Sequence, residues 1–144
     1  MKPRTHATLL TCCLLALVSP ASGRTIAWSN SIFDNLFDST GATLDSSFSF
    51  EVGIFSGGFV PTADNIGQWE SNWQIFDKAT APDTEGWNTT FQYFTSTANY
   101  LEGSRTSDSP YADSSDVFAA GSRVYLWVYD TKTIAPTSEW ALVT

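Results

Sequence analysis

The chain has no cysteine after residue 13 and no histidine after residue 6, so the longer part of it must fold without disulfides. The two cysteines, Cys12 and Cys13, and the single histidine, His6, all lie in the first 23 residues. A small domain without disulfide bonds depends on its hydrophobic core for stability. About 120 residues follow, which is enough for one domain with one such core.

The first 23 residues have the pattern of a cleavable signal peptide. Lys2 and Arg4 supply a positive start, residues 7–18 form an apolar run, and residues 19–23 are small or break a helix. A bilayer span takes about 20 apolar residues, so this run is too short for a membrane anchor. We therefore predict a signal peptide over residues 1–23, cleaved after Ala21 or Gly23. The rest, residues 24–144, is predicted to be a single secreted β-rich domain, located in the periplasm, at the cell surface or outside the cell.

Composition then excludes several classes of function. Without imidazole or thiol, the secreted part cannot carry Ser-His-Asp or Cys-His nucleophilic machinery or a zinc site of the usual Cys/His type. All fifteen acidic residues but only five of the seven basic ones follow residue 23. This balance disfavours nucleic acid and anionic membrane surfaces as partners. No catalytic residue or bound cofactor is predicted, apart from the calcium candidates below.

Alternation of apolar residues predicts a mainly β fold. Residues 47–55 alternate at period two, so that one face enters the core and the face with Glu51 is expected to meet water. In residues 123–130 both faces are apolar, which predicts a central strand. Further strands are predicted at 25–28, 89–97 and 140–143, while 79–87 and 102–116 favour loops. Residues 32–37 fit either a helical turn or a loop.

One amphipathic helix is predicted, beginning near Thr62 or Asn65 and ending near Lys78. Four large apolar residues follow at helical spacing, namely Ile66, Trp69, Trp73 and Phe76. We expect this stripe to lie on an aromatic row of the central strand, formed by Tyr125, Trp127 and Tyr129. The predicted fold class is all-β: a sandwich or barrel-like antiparallel sheet with one short helix packed on it.

An ordered series of segments resembles exported bacterial proteins that carry PEP-CTERM sorting tails. The segments include Phe50-Glu51-Val52-Gly53-Ile54-Phe55, Gly58-Phe59-Val60-Pro61-Thr62, Trp69 with Trp73, and Gly121-Ser122-Arg123-Val124-Tyr125-Leu126-Trp127. The resemblance implies export and handling by an exosortase-type enzyme, in a group often linked with exopolysaccharide and biofilm matrix. The Pro-Glu-Pro signal, second apolar helix and terminal arginine cluster of that group are missing here. Either the chain is truncated at its C-terminus, as we expect, or sorting does not apply to it.

Two sets of residues are candidates for ligand contacts. Trp28 and Trp87 lie near loop ends, where they could face solvent and stack on sugar rings. Asp108, Asp113 and Asp116, with Glu102 nearby, place hard oxygen ligands in one loop, where calcium could bind, although a solvated acidic loop is the favoured interpretation.

The leader, the missing catalytic residue types and the resemblance favour a non-enzymatic cell-surface or extracellular-matrix protein. Extracellular polysaccharide or another matrix component is the expected partner. One alternative is a carbohydrate-binding module. A second is a carboxylate-based glycoside hydrolase, for which no pair of acids is singled out.

Overall fold

The computed structural model describes residues 23–81, 86–133 and 135–144. Apart from Gly23, the predicted signal peptide therefore lies outside the described residues. Eight strands form: β1 (Gly23–Ser29), β2 (Ser49–Phe55), β3 (Trp73–Thr80), β4 (Trp87–Asn88), β5 (Tyr93–Leu101), β6 (Thr106–Ser107), β7 (Tyr125–Tyr129) and β8 (Trp140–Val143). A 3-10 segment, Ala63–Gln68, runs into a single turn of α-helix, α1 (Trp69–Asn72).

The strands form two antiparallel sheets. The first has the order β1, β5, β4, with β6 also paired to β5, and the second has the order β3, β2, β7, β8. The described strands do not close into a barrel, and the prediction of a mainly β fold with one short helix is confirmed. β7 lies between β2 and β8, as its two apolar faces predicted.

The core between the sheets contains closely packed aromatic rings. Phe50 of β2 stacks on Phe94 of β5, with ring centroids 4.3 Å apart, and its centroid lies 4.8 Å from that of Trp87. Towards the other end of the sandwich the core continues with Ile54, Phe76, Ala98 and Phe118. Full burial of each large side chain contributes about 1.5–3 kcal/mol, so this layer supplies the stability that disulfides provide in many small domains.

A second layer covers the outer face of the β3-β2-β7-β8 sheet. Trp69 of α1 contacts Trp127 of β7 at 5.8 Å between ring centroids, and Trp73 contacts the same ring at 5.6 Å. The predicted contact of Trp69 and Trp73 with the aromatic row is thus present, whereas Phe76 of the same predicted stripe packs between the sheets. This layer overturns the expectation that the Glu51 face meets water, because Glu51 lies beneath it and has no exposed surface.

The helix is shorter than predicted, because it ends at Asn72 instead of near Lys78. Trp73 begins β3, which pairs along the full length of β2. A register shift between Val52 and Gly53 interrupts the alternation in β3 after Phe76: Trp73 and Ile75 pack in the outer layer, whereas Phe76 packs in the core between the sheets and Asp77 accepts a hydrogen bond from Trp28. Large side chains thus occur on both faces of β3, at a spacing that resembles a helix.

Other boundaries differ by a few residues from those predicted. The strand predicted at 89–97 begins at Tyr93 instead, because residues 89–92 form a turn in which Gln92 has a φ of 51°. Of the loop predicted at 79–87, Ala79 and Thr80 belong to β3 and Trp87 belongs to β4, while residues 82–85 lie outside the described residues. Residues 32–37 form a loop, and the irregular stretch at 102–116 contains only the two-residue strand β6.

Candidate functional site

The outer layer surrounds a buried carboxylate, that of Glu51 on β2. Its position on the sheet brings Lys78 of β3 to one side and Trp127 of β7 to the other, because both are its direct register partners. Oε1 accepts a short hydrogen bond from the Tyr129 hydroxyl, and Oε2 accepts one of 2.8 Å from the Trp73 indole. Two side chains that belong to the aromatic layer therefore bind the charge directly.

Two lysines complete the contacts of this carboxylate. The Lys78 ammonium lies 3.3 Å from Oε1, and that of Lys132, from the connection after β7, lies 2.9 Å from Oε2. Lys132 also lies over the rings of Trp127 and Tyr129, with its nitrogen 5.2 Å and 5.4 Å from their centroids. We call Glu51, Lys78, Lys132, Tyr129 and Trp73 the Glu51 cluster.

The Glu51 cluster has the residue types of a catalytic site but not the access. Glu51 has no exposed surface, and each of its oxygens already accepts one hydrogen bond and faces one ammonium. Burial, followed by the charge of Glu51, raises the pKa of Tyr129 well above its ordinary value, so the phenol stays protonated and donates. A general acid or base must reach a substrate, whereas these groups are directed at one another.

One buried polar atom of the outer layer forms no hydrogen bond with the described residues. The indole nitrogen of Trp127 is buried and has no hydrogen-bond partner among the described residues. An unpaired buried donor of this kind costs about 1–3 kcal/mol. The packing of Trp127 between α1 and the sheet therefore outweighs the loss of its hydrogen bond to water.

Of the two tryptophans predicted to stack on sugars, Trp87 is a core residue and Trp28 packs against the core. Trp87 is fully buried and donates its indole hydrogen to the backbone carbonyl of Asp45 at 2.9 Å, so the expectation that it faces solvent is wrong. Trp28 is half-buried, packs on Phe94 and donates to the buried carboxylate of Asp77 at 2.8 Å. Each indole N–H is directed inward, where it donates a hydrogen bond to an oxygen of the protein.

The structure does not bring the predicted calcium ligands together as a site. Asp108 accepts hydrogen bonds from the backbone and side chain of Asn99, Asp113 accepts from Ser115, and Asp116 accepts from Gln74. These bonds lower the pKa of Asp108 and of Asp113, whereas burial raises the pKa of Asp116. Glu102 pairs with Arg24. Within the described ranges, no three His, Cys, Asp or Glu side chains are grouped to hold a metal ion.

A shallow cleft of about 290 Å³ lies beside the β7-β8 edge of the second sheet. Its lining includes Phe37 and Trp140, which are 57% and 37% exposed, and the acidic residues Asp38 and Glu139. Ser39 donates both its backbone N–H and its hydroxyl to the carboxylate of Glu139. Exposed aromatic rings next to carboxylates and a hydroxyl are suited to contact with a sugar, so this cleft replaces Trp28 and Trp87 as the candidate place for such contact.

Sequence reasoning missed the Glu51 cluster and Trp140. The signal for the first was an acid in the middle of an apolar strand, in a chain with only two lysines after residue 23. A charge in that position needs a partner if the face is covered. The signal for Trp140 was its place at the start of β8, an edge strand, where a large ring remains partly exposed.

No protein-family model matches the chain, and neither a characterised protein nor a solved structure shows detectable similarity to it. Of the residues that the structure describes, none belongs to a helix long and apolar enough to cross a membrane. The function must therefore be inferred from the geometry of the molecule itself.

Proposed function

We propose that the chain is a non-enzymatic domain of an exported cell-surface or extracellular-matrix protein. The Glu51 cluster is the observation that supports this proposal most strongly. It gathers an acid, a phenol and two amines, yet those groups neutralise and bind one another beneath an aromatic layer. Chemistry-bearing side chains are used here to hold the layer on the sheet.

The acids that line the shallow cleft support the same proposal. A hydrolase that uses two carboxyl groups needs one of them to stay protonated, with a raised pKa. The hydroxyl of Thr40 is instead the main cause that lowers the pKa of Asp38, whose Oδ1 also accepts the backbone N–H groups of Thr40 and Ala42. Asp38 is therefore held ionised as part of a turn, which does not suit the role of a catalytic acid.

Secretion and absence of turnover can be tested separately. The full chain, with a tag after Thr144, is expressed in a bacterium with two membranes, and its location and N-terminus are determined. Removal of the leader and recovery outside the cytoplasm are expected, whereas a variant with Leu14→Arg and Leu15→Arg should stay inside uncleaved. Equal recovery of both proteins from the cytoplasm would contradict export. Release of reducing ends from any polysaccharide by the purified protein, lost in Asp38→Asn or Glu139→Gln, would contradict the non-enzymatic assignment.

The shallow cleft favours a second candidate function, contact with extracellular polysaccharide. Trp140 packs on the ring of Trp69, with centroids 5.0 Å apart, and is 37% exposed. A rigid, half-exposed ring costs little conformational entropy when a sugar stacks on it. Titration with soluble polysaccharides should change the tryptophan fluorescence of the wild-type protein. The same polysaccharides should not bind the Trp140→Ala variant. Phe33→Ala is the matched control, since Phe33 is 86% exposed and does not line the cleft. Identical binding by both variants would exclude this site.

A further inference from the structure

A second and deeper cleft opens between the two sheets at the opposite end of the sandwich. It has a volume of about 530 Å³ and receives residues from β1, β2, β3 and β5 and from the segment before β7. Ile54, Phe76 and Phe118 lie at its base and are 7%, 6% and 6% exposed. At its mouth Ile26 and Val124 are 40% and 54% exposed, so the apolar lining continues to the surface.

Two hydroxyl groups of this cleft are already paired with the protein. The hydroxyl of Tyr100 donates to the carbonyl of Phe118 at 3.2 Å, and the hydroxyl of Thr25 donates to the side chain of Asn99 at 2.8 Å. A ligand would therefore find apolar surface inside the cleft. Because a buried polar group without a partner is costly, the part of a ligand that enters must be apolar as well.

The volume sets the size of that apolar part. At roughly 30 Å³ for each group of the size of water, about 530 Å³ corresponds to roughly 18 such groups. This lies within the range of about 300–1,000 Å³ that is usual for sites of small ligands. One alkyl chain of about a dozen carbons fits, whereas the two chains of a membrane lipid do not.

The distribution of positive charge gives the chemistry of the other end of the ligand. The chain has a formal net charge of −8, and both lysines after the leader are paired with Glu51. The three remaining cations are arginines of segments around this cleft. Arg24 lines it, Arg123 lies between two lining residues, and the backbone carbonyl of Arg105 accepts a hydrogen bond from Phe118. Glu102 pairs with Arg24, and the three arginines together carry more formal charge than this one acid.

We propose that this cleft binds one single-chain anionic amphiphile, such as a free fatty acid. Its alkyl chain lies between the sheets, and its carboxylate lies among the arginines at the mouth. The site is distinct from the shallow cleft with Trp140, since the two share no lining residue. Binding here does not depend on whether the protein contacts polysaccharide.

The first test is a titration of the ¹⁵N-labelled protein with sodium octanoate, decanoate and dodecanoate below their micelle concentrations. Saturable shifts are expected at the amides of Ile26, Ala119, Ala120 and Gly121. Affinity should rise about fourfold for each added methylene, the factor that corresponds to burial of one CH₂. Affinity that does not change with chain length would overturn the proposal.

Two variants and a control locate the site. Ala120 is exposed and lines the cleft, so Ala120→Trp should fill the mouth and weaken dodecanoate binding at least tenfold. Ser114→Trp places the same ring on an exposed turn outside the lining and should bind like the wild type. If Ala120→Trp does not fold, the surface variant Arg24→Ala with Arg123→Ala tests the same site and should bind about tenfold more weakly. Wild-type affinity in a folded variant of either kind would refute the assignment.

The head group and the source of the ligand are tested last. Dodecyltrimethylammonium has the same chain with the opposite charge and should bind at least tenfold more weakly than dodecanoate. Vesicles of phosphatidylglycerol should not bind, because their chains are already buried in the bilayer. Equal binding of the cation, or binding to vesicles without binding of dodecanoate, would contradict the proposal.

Discussion

Replacing Glu51 by glutamine is the most informative single change in this molecule. The amide has nearly the same shape, but it removes the charge that lies 2.9 Å from Lys132 and 3.3 Å from Lys78. It also keeps only one acceptor oxygen, so its NH₂ group must face donors on one side of the cluster. Two buried or half-buried ammonium groups would lose their counter-charge.

Removal of one partner from a buried ion pair costs about 3–5 kcal/mol, and we expect Glu51→Gln to fall in this range. Unfolding entropy of about 2.1 cal/mol/K per residue over roughly 120 residues converts this loss into a fall in Tm of about 12–20 °C. Urea unfolding followed by tryptophan fluorescence measures the free energy of unfolding directly.

The matched control is Glu70→Gln, the same chemical change on an exposed residue of α1. Its effect should stay within about 0.5 kcal/mol, as for most surface substitutions. If Glu51→Gln lowers the free energy of unfolding by less than about 1 kcal/mol, the size expected for an exposed ion pair, the conclusion that the cluster is sealed and structural is refuted.

Three further predictions follow from the packing and the electrostatics. A Cβ at Gly53 would lie 2.2 Å from a backbone oxygen of β3, so Gly53→Ala should lose about 1–3 kcal/mol or more in urea unfolding, whereas Gly103→Ala, with nothing within 4 Å, should lose little. Trp87→Ala should cost about 3–5 kcal/mol because the ring is fully buried, and Trp140→Ala should cost less than half as much; equal losses would mean that the two rings are equally buried. Hydrogen bonds from the backbone and side chain of Asn99 lower the pKa of Asp108 from 3.8. The contribution of Asp108 to folding stability is therefore present at neutral pH and is lost as the pH falls through the pKa of the folded state. The Tm difference between wild type and Asp108→Asn should therefore shrink between about pH 5 and about pH 2, and a constant difference would contradict this sign.

Local pattern predicted the strands whose alternation is regular. β7 and β8 appear at nearly the predicted positions, and the two apolar faces of β7 are covered by the core between the sheets and by the outer aromatic layer. The contact of Trp69 with the aromatic row also followed from pattern, since a stripe of large rings needs an apolar surface to cover it.

What the sequence did not predict depended on contacts between distant segments. Trp73 and Phe76 have helical spacing, yet β2 offers the segment a full set of strand hydrogen bonds, and the two rings lie on opposite faces of the strand. Long-range pairing overrides local preference in such cases.

The burial of Glu51 has the same kind of cause. Burial of Glu51 requires Lys78 from the next strand and Lys132 from a loop about 80 residues away. No local sequence pattern indicates that these three charges lie together. Trp87 lies near a loop end, but only the fold places the carbonyl of Asp45 beneath its indole.

The most direct test of the sealed Glu51 cluster is the hydrogen exchange of the Trp73 indole, which donates to that carboxylate. If the outer layer closes over the cluster, this N–H exchanges only when the whole domain unfolds, at the rate of the backbone amide of Phe50 in the core. Exchange as fast as that of free tryptophan, while the Phe50 amide remains protected, would show that the layer is open and that the cluster is accessible to solvent.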